Sequence, residues 1–453
     1  MEKKMLTQEV NDRYTRVGPG TPMGELMRRY WHPIAAVSQM NDKWTMKIRL
    51  LNEDLILYKD RSGSYGLIEP HCAHRRMNMI YGIPEKEGIR CPYHGWLFDQ
   101  TGQCIEQPYE ETEDPEARFK DKIQMKAYPI EVKAGLVFAY LGPLPAPLVP
   151  NWDVFAIDDV IRDIGYAELA CNWLQCQENS LDPVHLEWLH GYWSNFISEI
   201  RSESDKQRTI RNHEKIAFTE FEYGIYKRRV MQGGSEEDTS WREGHPIIFP
   251  YYLRQGGDGF DREKWGMTGP AVQIRVPIDD THTAHWWVMC HQKESGTPEQ
   301  KFEDIPFFQP PVIELDENSQ PQYVLLDSNS AQDLAAWVTQ GAIADRTGEH
   351  LGRSDKGIIM FRQMLEDNIK IVEDGGDPMN TFRTEEENTY HGMITEYPRE
   401  LAAKINPNDV GGTGTGGSVY QRQGMASKYS PILNQRGVEG GEDAEARRKL
   451  VGQ

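Results

Sequence analysis

The sequence places a cysteine and a histidine close together twice, at Cys72-Ala-His74 and at Cys91-Pro-Tyr-His94. Thiolate and imidazole groups are ligands of zinc and of iron–sulfur clusters. A zinc ion held by two cysteines and two histidines would explain the residue types. The order Cys, His, Cys, His argues against zinc, because each loop then supplies one thiolate and one imidazole. The two pairs therefore predict a metal centre held between two loop tips.

A second candidate site lies in residues 172–190, NWLQCQENSLDPVHLEWLH, which include Asp182, His185 and His190. Two imidazoles and a carboxylate can bind a divalent metal and leave coordination positions open. On a regular α-helix, residues five apart point about 140° away from each other. Both histidines can reach one metal only if the helix is distorted, for example by a π-bulge, or ends between them. The stretch alone does not distinguish a metal site from solvated polar side chains.

Composition limits the class of protein that could carry these sites. The chain has 453 residues, enough for two or three domains that each have a core. A net charge of -20 disfavours nucleic acid and anionic membranes as partners, since neither would gain by releasing counterions. The sequence has neither an apolar run long enough to span a membrane nor a signal peptide. We therefore expect a cytoplasmic protein.

The elements that position the first site are a short helix and a small β-domain. Thr21 is the expected N-cap of the helix, and Pro33 is expected to end it. Apolar and charged residues alternate in Met46–Leu50, which predicts a half-buried strand. Antiparallel strands are expected to continue as far as Gly135–Leu141. The proline-rich residues 142–150 are the expected exit linker.

The second site is expected in a domain of mixed helices and strands. Val272–Val276 and Ala284–Cys290 resemble strands joined by the turn Asp279–His282, and Asn329–Gly341 and Lys356–Gly375 have helical periodicity. One side of the last helix is apolar and is expected to be buried: Ile359, Phe361, Met364, Leu365 and Ile369. The chain is predicted to divide into a helical segment packing on the catalytic domain (1–40), an all-β domain (41–150), an α+β catalytic domain (151–405) and an extended glycine-rich tail (406–453).

The pattern CxH…CPYHGW resembles the Rieske [2Fe–2S] cluster-binding motif. The resemblance implies that Cys72 and Cys91 hold one iron and that His74 and His94 hold the other. Neutral histidine ligands raise the reduction potential of the cluster above that of an all-cysteine cluster, so that an external electron donor can reduce it. A Rieske domain alone would be an electron-transfer protein, but a long second portion follows it here.

The second stretch resembles the mononuclear-iron motif of Rieske non-haem iron oxygenases. By this resemblance His185 and His190 are the imidazole ligands of the iron. The carboxylate ligand is expected at Asp333 in AQDLAAWVTQG, and the alternatives are Asp355 and Asp327.

Two further residues receive roles from the same resemblance. Asp182 is implied to form an electron-transfer bridge between an iron histidine and a Rieske histidine, His94, of a neighbouring subunit. Asn179 is either a residue beside the open position of the iron or a structural amide. The remaining cysteines are expected to be buried: Cys104, Cys171, Cys176 and Cys290. Three neighbouring histidines are assigned to the sheet rather than to a third metal site: His282, His285 and His291.

Over nearly the whole chain the resemblance is to the α subunit of Rieske aromatic-ring-hydroxylating oxygenases, in the phthalate dioxygenase-like group. It implies an α+β fold, in which an N-terminal all-β Rieske domain precedes a catalytic domain with an antiparallel sheet covered by helices. The implied cofactors are a Rieske [2Fe–2S] cluster and mononuclear Fe(II). The implied partners are further copies in a homotrimer or hexamer, and an NAD(P)H-dependent reductase with or without a ferredoxin domain.

The implied function is that of an oxygenase component that uses dioxygen and reductase-supplied electrons to hydroxylate a carboxylated aromatic substrate. An O-demethylase or monooxygenase of a methoxylated aromatic acid fits the same motifs. An electron-transfer protein would leave His185 and His190 without a role, and a zinc-stabilised binding protein would explain both sites poorly. A carboxylate calls for arginine or lysine in the pocket, and the available arginines are Arg201, Arg208, Arg211, Arg228 and Arg229.

Overall fold

A computed structural model describes residues 6–392, except for 117, 159, 201, 203–206, 208, 256–269, 293–297, 310–311, 313–314 and 327–328. The predicted tail at 406–453 lies outside the described residues. So do the alternative ligand Asp327 and the arginines Arg201 and Arg208.

Three small antiparallel sheets form most of the chain before residue 141. Their hydrogen-bonded orders are β1-β11-β10, β2-β3-β4-β9 and β5-β6-β7-β8. The strands are β1 Trp31–Ala36, β2 Thr45–Leu50, β3 Glu53–Lys59, β4 Tyr65–Ile68, β5 Ile83–Pro84, β6 Ile89–Arg90, β7 Leu97–Phe98, β8 Cys104–Glu106, β9 Ala127–Tyr128, β10 Ile130–Lys133 and β11 Leu136–Tyr140.

One large sheet dominates the rest of the chain. Its order is β13-β14-β15-β16-β17-β18-β12-β19, and all neighbours are antiparallel except β12 and β19. The strands are β12 Val160–Leu169, β13 His213–Phe221, β14 Gly224–Met231, β15 His245–Ile248, β16 Tyr252–Gln255, β17 Ala271–Pro277, β18 Thr283–Gln292 and β19 Phe307–Phe308.

Helices pack on both faces of this sheet. The α-helices are α1 Gln8–Thr15, α2 Pro22–Met27, α3 Pro108–Glu113, α4 Asp153–Ala156, α5 Trp173–Ser180, α6 His185–Glu187, α7 Trp193–Ile200, α8 Thr239–Arg242, α9 Asn329–Val338 and α10 Lys356–Glu373. On one face, the Lys227 ammonium donates to the carbonyl of Ser180 at the end of α5. On the opposite face, Arg254 forms a buried ion pair with Asp153 in α4. The large sheet therefore separates two layers, and α5 and α9 lie on the Lys227 side.

Most predicted elements are confirmed, with two local corrections. Thr21 caps α2 as expected, but α2 ends at Met27, and Pro33 lies within β1, where the register shifts before Ala35. The N-terminal segment is thus α-helical only as far as Met27, and after β1 it ends in a short 3-10 turn at Val37–Met40. In α10, Ile359 is 46% exposed and its neighbour Ile358 is buried.

The other sequence expectations for structural residues agree with the fold, except that His282, expected in the sheet, lies in the turn before β18. The hairpin of β17 and β18 turns through Asp279–His282 as predicted, since the amide of Ile278 donates to the carbonyl of His282. The cysteines expected to be structural are all buried. His285 is buried in β18, against Gln273 and Trp337. Within the described part of the chain, no helix combines the length and apolar composition needed to cross a bilayer.

Candidate metal centres and the residues that position them

The two predicted Rieske loops have the same local geometry. The amide of Cys72 donates to the carbonyl of Met77, and the amide of Cys91 donates to the carbonyl of Trp96. In each loop a second backbone hydrogen bond closes the turn. The amide of Arg76 donates to the carbonyl of Cys72, and the amide of Gly95 donates to the carbonyl of Cys91; both Arg76 and Gly95 have positive φ. A glycine adopts this conformation without steric cost.

These loops bring the four predicted ligands to one tip. The rings of His74 and His94 are exposed, with centroids 4.5 Å apart, and His74 stacks on Trp96 with its ring plane 8° from parallel. The thiols of Cys72 and Cys91 are buried behind them. Exposed imidazoles allow an electron donor or acceptor to approach a cluster edge.

The donor set fits a [2Fe–2S] cluster better than zinc. Burial, and then the neighbouring Cys91, raise the pKa of the Cys72 thiol to about 12. A thiolate at this position therefore needs the positive charge of a metal. A single zinc ion would draw its ligand atoms closer than about 4.6 Å, twice the zinc–sulfur distance. Within the described residues, the only group of three or more His, Cys, Asp or Glu ligand atoms that all lie within 4.8 Å of one another is elsewhere, at His185, His190 and Asp333.

The helix α5 that precedes the second site is anchored at its start and along its buried side. Asn172 caps it through the amide of Leu174, and its own side-chain amide donates to the carbonyls of Thr15 and Asp280. Glu178 accepts hydrogen bonds from two buried guanidinium groups, those of Arg346 and Arg362, both at 2.7 Å. This ion network, which the sequence analysis did not identify, fixes α5 against α10.

The predicted distortion between the two histidines is confirmed. After α6, Trp188–Tyr192 form one π-helical turn, in which the amide of Trp193 donates to the carbonyl of Trp188. The π turn adds one residue to the helical repeat. His185 and His190 consequently face the same side, with ring centroids 5.2 Å apart.

Asp333 in α9 completes the group. Its Oδ1 lies 3.2 Å from Nε2 of His190 and 3.9 Å from Nε2 of His185, and the amide of Asn179 donates to it at 3.4 Å. Burial opposes ionisation of Asp333, but His190 and His185 hold its pKa below the usual range. The alternative Asp355 lies at the start of α10, outside this group. Two imidazoles and a carboxylate that meet on one side fit ferrous iron with open positions.

The other nitrogen of each histidine faces a polar side chain, with a hydrogen bond at His190 and a longer approach at His185. Nδ1 of His185 lies 3.5 Å from Oδ2 of Asp182, and Nδ1 of His190 lies 2.9 Å from Oε1 of Gln332. The Gln332 amide donates in turn to Ser194 Oγ at 2.7 Å. Such partners orient metal-binding imidazoles and leave Nε2 free to bind. Gln332 was not predicted, although it directly precedes Asp333 and its place in the sequence could have suggested a role.

The two sides of the group formed by His185, His190 and Asp333 differ in polarity. On the outside lies an open cavity of about 690 Å³, lined by Asp182, His185 and the aromatic residues Trp188 and Tyr192. On the sheet side, β14 and β17 carry three buried cationic residues, Lys227, Arg229 and Arg275. Cross-strand partners share a face of the sheet, and the pairing of Lys227 with His245 and of Arg275 with His285 puts polar side chains there in neighbouring strands.

Comparisons with known proteins identify the same two parts of the chain. Residues 30–129 match the Rieske [2Fe–2S] domain family, and residues 319–398 match the LigXa C-terminal domain-like family. The chain is 42% identical over 380 residues to the 5,5'-dehydrodivanillate O-demethylase oxygenase subunit of Sphingobium sp. (strain SYK-6), covering 84% of each chain. It is 29% identical to the phthalate 4,5-dioxygenase oxygenase subunit of Pseudomonas putida, covering 83% of this chain and 89% of that subunit.

The fold is shared with a solved structure. The terminal oxygenase of carbazole 1,9a-dioxygenase from Novosphingobium sp. KA1 superposes with a TM-score of 0.53 at 19% identity, covering 78% of this chain and 96% of that one. A Rieske domain followed by a helix-covered antiparallel sheet with a mononuclear metal site defines an iron-dependent oxygenase component. The chain belongs to the Rieske non-haem iron oxygenases, as an oxygenase subunit. Their cofactors are a Rieske [2Fe–2S] cluster and a mononuclear iron, and the residues at both sites fit these groups.

Proposed function

We propose that this subunit removes the methyl group of a methoxylated aromatic acid, with dioxygen and electrons from an NAD(P)H-dependent reductase. The observation that carries the proposal is the approach of His185, His190 and Asp333, whose ligand atoms all lie within 4.8 Å. Bound iron would supply dioxygen activation there, and the Rieske cluster would supply single electrons. The relative at 42% identity is an O-demethylase subunit, which favours demethylation. Ring dihydroxylation is the second candidate, since the relative at 29% identity is a dioxygenase subunit.

The roles of the ligand residues are part of the proposal. His185, His190 and Asp333 hold the iron, and Cys72, His74, Cys91 and His94 hold the cluster. Asp182 and Gln332 fix the ring orientations through Nδ1, as their distances of 3.5 Å and 2.9 Å from the rings support. Asn179 hydrogen-bonds the carboxylate of Asp333 and adjoins the open side of the iron.

The carboxylate of the substrate is proposed to lie toward the large sheet. Lys227, Arg229 and Arg275 are each at most 3% exposed there, on the face that packs against α5 and α9. A buried anion is tolerated where cations and hydrogen-bond donors surround it. Arg211 and Arg228 donate instead to the backbone carbonyls of Gln232 and Trp241, so we assign them no role in binding.

A ring of subunits, as a homotrimer or hexamer, is proposed to join one copy's cluster to the next copy's iron. Asp182 lines the open cavity beside Trp188, which is 61% exposed. At the other end of the electron path, His94 is exposed next to Tyr93, which is 50% exposed. Aromatic side chains are enriched at protein interfaces, and a closed heterologous interface produces a ring. Asp182 would then bridge His185 and His94 of a second copy.

The reaction can be tested by its stoichiometry. Demethylation converts an aryl methyl ether, dioxygen, two electrons and two protons into a phenol, formaldehyde and water. With a reductase and a panel of methoxybenzoates, we expect one formaldehyde per dioxygen consumed. An Asp333→Ala variant should keep the visible Rieske spectrum and form neither product. A cis-dihydrodiol without formaldehyde would establish the second candidate, and substrate-independent oxygen uptake without any product would refute both.

A further inference from the structure

The open cavity beside the iron site is lined by carboxylates and aromatic rings. Its volume is about 690 Å³. Among the described residues, its lining includes no lysine or arginine and three carboxylates: Glu178, Asp182 and Glu349. Three exposed aromatic side chains, spaced four residues apart along one helical stretch, form what we call the aromatic wall: Trp188, Tyr192 and Phe196. A cavity with this lining favours an occupant that is both cationic and aromatic.

Glu349 is the carboxylate of this cavity that an entering cation can reach. Glu178 is buried and already accepts from two guanidinium groups, those of Arg346 and Arg362, both at 2.7 Å. Glu349 accepts from Arg362 at 2.7 and 2.9 Å, but its side chain is 26% exposed. Each carboxylate oxygen has two lone pairs, so Glu349 can accept a second guanidinium from the cavity side. Asp182 is the residue proposed above to face the cluster of another copy.

The tip of the Rieske domain carries a guanidinium that is held in place by an aromatic ring. Arg75 directly follows His74, and its guanidinium carbon lies 5.2 Å from the centre of the Tyr93 ring. The Tyr93 ring in turn contacts the ring of His94, with centroids 3.9 Å apart. All four side chains are exposed. A guanidinium stacked on a ring is attracted to its face and has less freedom to lose when it binds. The tip therefore presents a cationic and aromatic pair beside a cluster ligand.

We propose that Arg75 and Tyr93 of a second copy occupy the cavity, with the guanidinium on the carboxylate of Glu349 and the ring against the aromatic wall. The inference rests on the proposed ring of subunits and names the contacts that hold it in register. The occupant is a second copy because the tip and the cavity belong to the same chain and are complementary in charge, as a heterologous contact requires.

The contact makes Arg75 a positioning residue for electron transfer. Guanidinium–carboxylate hydrogen bonds are directional, and Arg75 and His94 contact opposite sides of one tyrosine ring. A guanidinium fixed on Glu349 therefore also fixes the imidazole of His94 relative to Asp182. Arginine and tyrosine are among the residues that contribute most to binding at interfaces.

A double-mutant cycle tests the pair. The rate of electron transfer from cluster to iron is measured in a single turnover of the holoenzyme, as reoxidation of the reduced Rieske spectrum. We expect Arg75→Gln and Glu349→Gln each to slow this step about tenfold, and the double variant to be no slower than either single variant, because residues in contact have coupled effects. Glu349→Gln keeps an acceptor for Arg362, which preserves the fold. Arg75→Lys, which keeps the charge, should recover part of the rate.

The matched control is Arg76→Gln. Arg76 is exposed in the same loop, but its guanidinium donates to Glu69 of its own chain at 3.3 Å. This variant should keep the wild-type rate, both alone and in the Glu349→Gln background. Equal slowing by Arg76→Gln and Arg75→Gln would assign the effect to the net charge of the tip and overturn the inference.

The outcomes separate this inference from the proposed function. If the holoenzyme is oligomeric in sedimentation and the effects of Arg75→Gln and Glu349→Gln multiply, the inference is overturned and the ring stands. An unchanged rate in Arg75→Gln would overturn it equally. If the holoenzyme is monomeric at the assay concentration and still passes electrons from cluster to iron, the ring is refuted as well. Formaldehyde release from methoxybenzoates tests the proposed reaction independently of all these results.

Discussion

Gln332 provides a test of how the proposed iron site is held together. Its Oε1 lies 2.9 Å from Nδ1 of His190, and its amide donates to Ser194 Oγ at 2.7 Å and to the carbonyl of Leu326 at 3.1 Å. A Gln332→Leu substitution keeps the approximate volume of the side chain and removes all three hydrogen bonds. His190, which is 2% exposed, would then lose the acceptor that holds its Nε2 toward Asp333.

The size of the effect follows from these contacts. Loss of a partner that orients a metal-binding imidazole lowers metal affinity by about 10- to 100-fold, which corresponds to about 1.4–2.7 kcal/mol of binding free energy. Gln332→Glu should lose less, because a carboxylate also accepts from Nδ1. The matched control is Gln340→Leu, since Gln340 is exposed just after the end of α9 and, among the described residues, its side-chain amide donates only to the carbonyl of Ala336.

The measurement is the affinity for Fe(II) at the mononuclear site, by titration against a competing chelator after that iron has been removed. The visible Rieske spectrum, recorded on the same samples, should be identical in all variants. If Gln332→Leu binds Fe(II) as tightly as the wild type, orientation of His190 by Gln332 does not contribute to metal binding, and the reasoning is wrong. A parallel loss in Gln340→Leu would show that helix stability, rather than the hydrogen bond, is responsible.

Three further predictions concern the iron site, the electron path and the fold. His185→Ala should lose mononuclear iron and oxygenase activity but keep the Rieske spectrum; loss of the spectrum as well would count against two separate sites. Asp182→Asn should retain both metals but transfer electrons between them very slowly, and a normal rate of single-turnover substrate oxidation would rule out the bridge. Burial lowers the pKa of His32 to about 4, whereas a histidine in the unfolded chain titrates near about 6.5. The unfolded chain therefore binds more protons between these values, and the free energy of unfolding should fall by up to about 3 kcal/mol as the pH drops from about 6.5 to 4. His32→Gln should flatten this part of the pH profile in urea titrations, and an unchanged slope would assign the effect to other groups.

The sequence was most informative where chemistry depends on local spacing. Cys72-Ala-His74 and the five-residue step from His185 to His190 predicted two loop tips and a distorted helix, and the fold has both. Residue periodicity predicted only one hairpin of the large antiparallel sheet, whereas the family resemblance implied the sheet as a whole. Helical periodicity did not distinguish Ile358 from Ile359, because adjacent residues differ by only about 100° around the axis.

Contacts between distant parts of the chain could not be predicted in this way. The partners of Glu178 are Arg346 and Arg362, and nothing in their local sequence indicates that they meet. The pairing of Glu187 with His213 likewise depends on where β13 begins. Pro33 was expected to end a helix, but it lacks an amide proton and fits equally well in a strand at a point where the register shifts.

The π turn at Trp188–Tyr192 has a mechanical consequence for the enzyme. Within two helical turns, His185 and His190 point to Asp333 and Glu187 points to the sheet, while the rings of Trp188 and Tyr192 contact each other on the surface, with centroids 4.6 Å apart and planes inclined by 31°. One short helical segment thus carries side chains that face three places: the metal ligands, the large sheet and the surface. A displacement of this segment would therefore move Glu187 and the two imidazoles together, because all three side chains leave one continuous helical stretch.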